Sequence, residues 1–261
     1  MPIESTEHLL VEQQGSVVIL TFNNPKLRNA FTDDMHEGMQ EFWEQLDRDE
    51  SVRAVVLTGN GKSFSTGGNV AGFVSAHEDM VRRRRAVQSA RRILDAQAGF
   101  SKPVVAAVNG PAVGLGCSVA ISCDIVLIAE DAYFADTHVN VGLVAGDGGV
   151  ELWPLMMSLL KAKEYLLTGD RIPATAAVSL GLANRVVPND QLLAEALALA
   201  QRLAEQPAEA IQGTKRALNM HTQSVIQHIA PFALEAEYVS WGSDDVRRSI
   251  ESFSKPVAAT K

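Results

Sequence analysis

The chain has 261 residues, enough to bury one sizeable α/β core. A hydrophobic content of 46% and a charged content of 21% are typical of a folded globular protein and exclude a disordered one. The formal net charge of −8 argues against nucleic-acid binding, which needs a basic surface. The opening MPIESTEHLL lacks the features of a secretory signal, and no apolar run is long enough to cross a membrane. We therefore expect a cytoplasmic protein without nucleic-acid or membrane partners.

The first hundred residues predict alternating strands and helices. HLLVEQQG and SVVILTFN predict two short strands around a turn at Gly15, and VRAVVLTG (52–59) predicts a buried strand. Thr32 is the expected N-cap of a helix whose apolar residues follow at helical spacing. A long polar helix is predicted over residues 75–98, with the basic run VRRRRAVQSARR on its solvated face.

The rest of the chain predicts more strands and then mostly helices. KPVVAAVNG (102–110) predicts another buried strand, GLGCSVAIS a helix, and CDIVLIAEDAYFA two short strands. From about residue 150 the pattern is helical, interrupted by the strand-like ANRVVP (183–188). Cys117 and Cys123 are expected to be buried reduced thiols. Together these elements predict an α/β fold with a helical C-terminal part.

Two glycine loops, Thr66–Asn69 and Gly114–Ser118, each follow an apolar strand. Glycine lets a backbone approach a ligand closely, and a helix that begins at the second loop adds free N–H groups. Two such groups directed at one oxygen form an oxyanion hole. Neither loop ends in Gly-Lys-Ser/Thr or forms GxGxxG, which argues against nucleotide binding. The simpler alternative is that these glycines only turn the chain.

Four segments occur in the order and spacing of one known family: FSTGGNV, KPVVAAVNGPAVGLGCSVAISCDIVLIAEDAYFADTHVNVGL, YLLTGDRIPATAAVSLGLANRVVP and SDDVRRSIESF. From about residue 8 to about residue 255 the chain resembles the crotonase superfamily, the enoyl-CoA hydratase/isomerase group. The resemblance implies an α/β spiral of repeated ββα units over residues 1–200. It also implies a helical region over residues 201–261 that forms homotrimers or homohexamers. The expected substrate is an acyl-CoA thioester, with coenzyme A as part of the substrate and no separate cofactor.

The resemblance also assigns binding residues. The backbone amides of Gly68 and Leu115 would hold the thioester oxygen. The other expected contacts to CoA or substrate are Lys26, Leu27, Arg28, Ala30, Thr66, Gly67, Asn69, Val70, Gly114, Thr137 and Gly142. Phe73 and Trp153 are candidates for the acyl pocket, and a place in the core is an equal alternative for each. Lys255 is a hypothetical contact to the CoA phosphates of a neighbouring subunit.

One departure from the family affects the catalytic residues. Hydratases of the family have a glutamate after the second glycine loop and another in a PE pair, and this chain has Ser118 and His138 there. An imidazole titrates near neutral pH, so His138 can replace a glutamate in acid–base catalysis. Asp147 could orient this imidazole and stabilise its cation, and Ser118 could position water. The structural alternatives are a helix cap for Asp147 and a core position for His138.

These residues leave three functions open. The first is hydration, double-bond migration or carbon–carbon cleavage of a CoA thioester through an enolate. The second is a hydrolase of β-diketones in which His138 and Asp147 activate water. The third is an acyl-CoA binder without catalysis, since both glutamates are missing. No metal site is predicted, because the other histidines show no ligand spacing: His8, His36, His77, His221 and His228.

Overall fold

A computed structural model describes residues 5–253, and the side chain of Val70 lies outside that description. The strands are β1 (Leu9–Gln14), β2 (Val17–Phe22), β3 (Ala54–Gly59), β4 (Val104–Val108), β5 (Ala112–Val113), β6 (Ile125–Ala129), β7 (Tyr133–Ala135), β8 (Ile172–Pro173) and β9 (Arg185–Val187). The helices are α1 (Asp33–Arg48), α2 (Val70–Glu78), α3 (Met80–Gly99), α4 (Leu115–Ile121), α5 (Gly149–Met156), α6 (Leu159–Thr168), α7 (Ala174–Leu180), α8 (Leu192–Ala204), α9 (Ala208–Ser240) and α10 (Asp244–Phe253).

Six strands form the main sheet in the order β1-β2-β3-β4-β6-β9. Only β1 runs antiparallel to its neighbour, and the other pairs are parallel. Every residue of β3 and β4 is buried, which is why these strands read as continuous apolar runs. The predicted strands of this sheet are thus confirmed.

A second, smaller sheet gives the core its spiral form. It contains β5, β7 and β8. Parallel bridges Phe31↔Gly68 and Ser65↔Ala112 extend it towards the N-terminus. Each turn of the chain therefore adds a strand to the main sheet, an extended stretch to the smaller one and then a helix. This repetition confirms the crotonase-like α/β fold, and it places the two glycine loops in adjacent turns.

The predicted helix over residues 75–98 is two helices, α2 and α3. They are separated at Asp79, whose side chain accepts a hydrogen bond from the Val81 amide at 2.7 Å and caps α3. The prediction of one helix was wrong because an aspartate in a polar run looks like a surface residue. Its effect as a cap depends on the backbone turning there. Thr32 caps α1 as predicted, accepting from the Met35 amide at 3.4 Å.

The C-terminal helices pack on the core. Helix α8 includes the predicted boundary at residue 200 and lies on β2, β3, β4 and β6, while α9 packs against α3 and α5. The outer faces of α6 and α9 expose the large apolar residues Leu159, Leu160, Leu167, Leu218, Met220 and Phe232. Such a surface is typical of an interface, and the trimer or hexamer stays a prediction. Within residues 5–253, the helices are too short or too polar to cross a membrane.

Candidate active site

A cavity of about 820 Å³ lies between the N-terminal ends of α1 and α4, the helices α2 and α3, and the end of α9. Side chains and backbone from five separate parts of the chain meet in it. The lining residues that bear on the chemistry are Phe31, His36, Gly68, Phe73, Leu115, His138, Asp147, Glu237 and Trp241.

Gly68 and Leu115, the predicted oxyanion donors, both line this cavity. Their loops touch, because a Cβ on Gly67 would lie 2.7 Å from the Val113 carbonyl oxygen and 3.4 Å from the Leu115 amide nitrogen. Gly67 also has a φ of +75°, a conformation that favours glycine. Within residues 5–253, neither the Gly68 nor the Leu115 amide donates a hydrogen bond to the protein. Both donors are therefore available to an oxygen in the cavity.

His138 lies between two carboxylates. Its Nδ1 is 2.6 Å from Asp136 Oδ1, which also accepts the backbone N–H of His138 at 3.2 Å. Its Nε2 is 3.4 Å from Asp147 Oδ2. Asp136 is 1% exposed and Asp147 is 7% exposed. The sequence suggested that Asp147 orients the imidazole. In the structure, Asp136 binds Nδ1, the ring nitrogen that does not face Asp147, so Asp136 is the residue that can orient the ring.

The charge state of His138 follows from this arrangement. Burial by itself lowers the pKa of His138, but the negative charges of Asp147 and Asp136 and hydrogen bonds to both outweigh it. The net result is a pKa well above the ordinary value of 6.5. At neutral pH the ring is an imidazolium, so His138 can donate a proton and stabilise negative charge.

Glu237 is a functional candidate that the sequence did not reveal. It lies near the end of α9, is 4% exposed and lines the cavity with His138 and Asp147. Burial and the negative charge of Asp147 raise the pKa of Glu237 to about 8, and the Trp241 indole N–H donates to its Oε1 at 3.2 Å. This carboxyl group is thus protonated at neutral pH and can serve as an acid. Nothing in ALEAEYVSW distinguishes Glu237 from a surface glutamate.

The structure does not support two other interpretations of the sequence, a helix cap at Asp147 and a water-positioning role for Ser118. Asp147 is not a helix cap, because α5 begins after Gly148 without a side-chain capping bond. Ser118 is fully buried and does not line the cavity. A Cβ on Gly148 would lie 2.7 Å from the Ser118 hydroxyl oxygen, so the backbone of the following turn covers this side chain. Ser118 is therefore not placed to position water in this cavity.

The predicted CoA loop forms a tight turn beside the first glycine loop. Arg28 has a φ of +54° and its carbonyl oxygen accepts the Thr66 amide at 3.2 Å. Asn29, buried and also left-handed, holds the turn by donating to the Ser63 carbonyl at 2.8 Å. Lys26 and Arg28 are exposed, Leu27 is 52% exposed, and Ala30 is buried. The contact of these cations with CoA stays a prediction.

The remaining predicted contacts fall in different places. Asn69 lines the cavity and caps α2, accepting from the Gly72 amide at 2.8 Å. Gly114 is next to His138, since a Cβ there would lie 3.4 Å from its Cε1. Gly142 instead contacts α10, where a Cβ would lie 2.7 Å from that of Asp245. Thr137 is half-buried and does not line the cavity. The Val70 side chain and Lys255 lie outside the described residues.

The two candidates for the acyl pocket lie in different parts of the protein. Phe73 lines the cavity and packs edge-on against Trp241, with ring centroids 4.8 Å apart. Trp153 is completely buried in the main hydrophobic core, 6.5 Å from the ring of Tyr165, so it takes the core alternative. Cys117 and Cys123 are free and buried, as predicted.

One group of side chains has the donor set of a metal site. Asp136, His138 and Asp147 each offer a ligand atom, and these atoms lie within 4.8 Å of one another. The two carboxylates, however, approach opposite nitrogens of the imidazole ring. A metal needs ligand atoms about 2 Å away around one point, so a hydrogen-bonded Asp–His–Asp group without a metal fits this arrangement better.

The comparisons with known proteins identify the family of the chain. The sequence profile of a family described as "Enoyl-CoA hydratase/isomerase" matches residues 12–256. A short-chain-enoyl-CoA hydratase of Clostridium acetobutylicum is 30% identical over 247 residues, covering 94% of each chain.

Two solved structures extend the likeness to the fold. An enoyl-CoA hydratase/isomerase from Mycobacterium paratuberculosis is 44% identical, with a TM-score of 0.92 over 96% of this chain and 100% of that one. A monofunctional enoyl-CoA isomerase from M. smegmatis is 31% identical, with a TM-score of 0.71 over 84% of this chain and 95% of that one. Profile, sequence and fold lead to one conclusion: the chain belongs to the enoyl-CoA hydratase/isomerase family, enzymes that act on acyl-CoA.

Proposed function

We propose that this protein hydrates a 2-enoyl-CoA, with His138, Asp147 and Glu237 replacing the two glutamates of family hydratases. The observation that carries the proposal is that these three side chains line the same cavity as the free amides of Gly68 and Leu115. Hydration needs a base for water and an acid for the α-carbon, together with stabilisation of the enolate between them. The cavity offers a candidate for each task.

In the proposed reaction, the amides of Gly68 and Leu115 hold the thioester oxygen. Asp147 takes a proton from water, and the hydroxide oxygen bonds to the β-carbon. The π electrons move to the thioester oxygen as an enolate. Glu237 then donates its proton to the α-carbon, and the proton held by Asp147 returns to Glu237, so that the net change is addition of water.

His138 has a positioning and electrostatic role in this scheme. Its imidazolium lies between Asp136 and Asp147, at 2.6 Å and 3.4 Å. The positive charge keeps the Asp147 carboxylate in place and lowers the energy of the enolate. Asp136 keeps the ring in the orientation that directs Nε2 towards Asp147.

Turnover on a defined panel tests the proposal. The panel contains crotonyl-CoA, longer and branched 2-enoyl-CoAs, 3-enoyl-CoAs and β-diketones, assayed with wild type, Asp147→Asn and His138→Ala. We expect hydration of 2-enoyl-CoAs by the wild type and losses of about 10²–10⁴-fold in both variants. Ser118→Ala is the matched control, since Ser118 occupies a family catalytic position but lies outside the cavity.

Other outcomes would contradict hydration. Conversion of 3-enoyl-CoAs alone would make the enzyme an isomerase, and cleavage of β-diketones alone would make it a carbon–carbon hydrolase. Binding of every thioester without turnover would leave a non-catalytic acyl-CoA binder. Turnover unaffected in Asp147→Asn and His138→Ala would place the chemistry elsewhere.

A further inference from the structure

The α3 wall of the cavity carries positive charge that the proposed chemistry does not use. Arg85 and Arg92 both line the cavity, and both are exposed. They are seven residues apart on one face of α3, about 10 Å along the helix axis. Among residues 5–253, neither guanidinium has a carboxylate within 4.0 Å. By contrast, Arg82 on the same wall lies 3.8 Å from Asp79.

The surroundings of Arg92 are polar. His36 and Gln40 of α1 and the buried Ser89 of α3 line the same part of the cavity. The Gln40 amide donates to the Ser89 hydroxyl at 3.2 Å, so these two side chains satisfy each other. A saturated alkyl chain would gain little from such a wall, because apolar contacts do not compensate the desolvation of polar groups.

The charges near Arg92 can be assigned. Burial lowers the pKa of His36 to about 4, and the charge of Arg92 contributes to that shift. His36 is therefore neutral at neutral pH. Asp33 and Glu37 also line the cavity near the start of α1, and both are exposed, as Arg92 is. Arg92 is a cation at this end of the cavity, with Arg85 further along α3.

We propose that the substrate is a CoA thioester whose acyl group ends in a carboxylate, and that Arg92 binds this carboxylate. The inference rests on the proposed function and adds the substrate class to it. Arginine suits the task because its planar guanidinium can form two parallel hydrogen bonds with a carboxylate. Arg85 adds a weaker, longer-range attraction that a polar solvent screens.

The phosphates of CoA are the other anions that could reach these arginines. Two saturated thioesters that cannot react separate the sources: glutaryl-CoA, which ends in a carboxylate, and pentanoyl-CoA, which does not. Their Kd values, and that of free CoA, are measured by calorimetry in wild type, Arg92→Ala and Arg92→Lys. Arg84→Ala is the control, because Arg84 is exposed on α3, faces the Tyr238 ring and does not line the cavity.

We expect wild type to bind glutaryl-CoA at least about tenfold more tightly than pentanoyl-CoA, the effect of one charge-assisted hydrogen bond. Arg92→Ala should abolish this preference while leaving pentanoyl-CoA and free CoA within about threefold of wild type. Arg92→Lys should keep part of it, since the charge remains without the planar fork. Arg84→Ala should keep all of it.

Two results would overturn the inference. An equal loss of affinity for free CoA and both thioesters in Arg92→Ala would assign Arg92 to the phosphates. An absence of preference in wild type would exclude the carboxylate. Both results are independent of catalysis. A carboxylate preference without turnover on any enoyl-CoA would contradict the proposed hydration alone, and turnover without the preference would contradict only this inference.

Discussion

Two cavities among residues 5–253 hold charged groups that behave differently. The smaller, of about 540 Å³, lies between α8, α9 and the core and is lined mostly by apolar side chains. Its charges are Lys215 and Asp124, 2.7 Å apart. Lys215 also donates to the Lys102 carbonyl at 2.7 Å, and Asp124 accepts the Val104 amide at 2.7 Å. Every charge there has a local partner.

In the larger cavity, the ionisable groups are not paired one to one in this way. His138 keeps its proton because two carboxylates surround it, and Glu237 keeps its proton because it is buried near Asp147. Two acids that are protonated at neutral pH thus share one cavity with carboxylates. The comparison teaches that burial alone does not mark a functional site. A functional site is marked by a buried group whose protonation state has been changed by its neighbours.

Removal of His138 should have the largest effect. We expect His138→Ala to lower kcat/KM for the best 2-enoyl-CoA by about 10²–10⁴-fold, because the variant loses the cation that holds Asp147. Steady-state kinetics checks this, with the exposed His228→Ala as control. A loss of less than tenfold in kcat/KM would contradict a catalytic role for His138 in the larger cavity.

The smaller cavity should respond in stability instead. We expect Lys215→Met to lower the free energy of unfolding by about 1–3 kcal/mol, because the Lys102 carbonyl oxygen and Asp124 Oδ2 would lose their donor. Urea denaturation measures this, while kcat below the transition should stay near that of wild type. Lys161→Met, which breaks an exposed pair with Glu164, is the control and should change far less. A loss of kcat in folded Lys215→Met would make this cavity part of the active site.

Glu237 should affect the pH dependence of the hydration activity. As an acid, Glu237 works while protonated, so wild-type hydration should decline as the pH rises through about 8. We expect Glu237→Gln to lower kcat by about 10–100-fold and to remove that decline. The exposed Glu235→Gln should leave both unchanged. An alkaline decline that persists in Glu237→Gln would assign it to another group.

The same residue should affect stability with a defined sign. The pKa of Glu237 is raised from 4.5 to about 8 in the folded state, so between these values the unfolded state binds fewer protons. The contribution of Glu237 to the free energy of unfolding should therefore fall as the pH rises from 4.5 to 8. Thermal unfolding of Glu237→Gln should show a shallower fall over this range. Parallel curves for the two proteins would contradict the raised pKa.

Ser118→Ala should have the smallest effect. The Ser118 hydroxyl is buried without a hydrogen-bond partner among the described residues and is covered by Gly148. Its removal should change kcat/KM by less than about threefold and leave stability equal or slightly higher. A tenfold loss of activity would show that this side chain does reach the substrate.

Local features were predictable from the sequence. The apolar runs of β3 and β4, the cap at Thr32 and the two glycine loops each depend on residues close together in the chain. The break at Asp79 was missed because a cap and a surface aspartate look alike until the backbone direction is known. Trp153 was ambiguous because an aromatic side chain suits a pocket and a core equally well.

By itself, the sequence determined the family through its motifs, and the resemblance to that family implied the α/β spiral and the pair of His138 and Asp147, because motifs are carried by neighbouring residues. Only the tertiary structure decided that Asp136 orients the imidazole, that Ser118 is covered, and that Glu237 joins the cavity from α9. The physical reason is that protonation and hydrogen bonding depend on burial and on charges a few ångströms away. In this cavity, the protonation of Glu237 depends on the charge of Asp147, which lies 90 positions earlier in the chain.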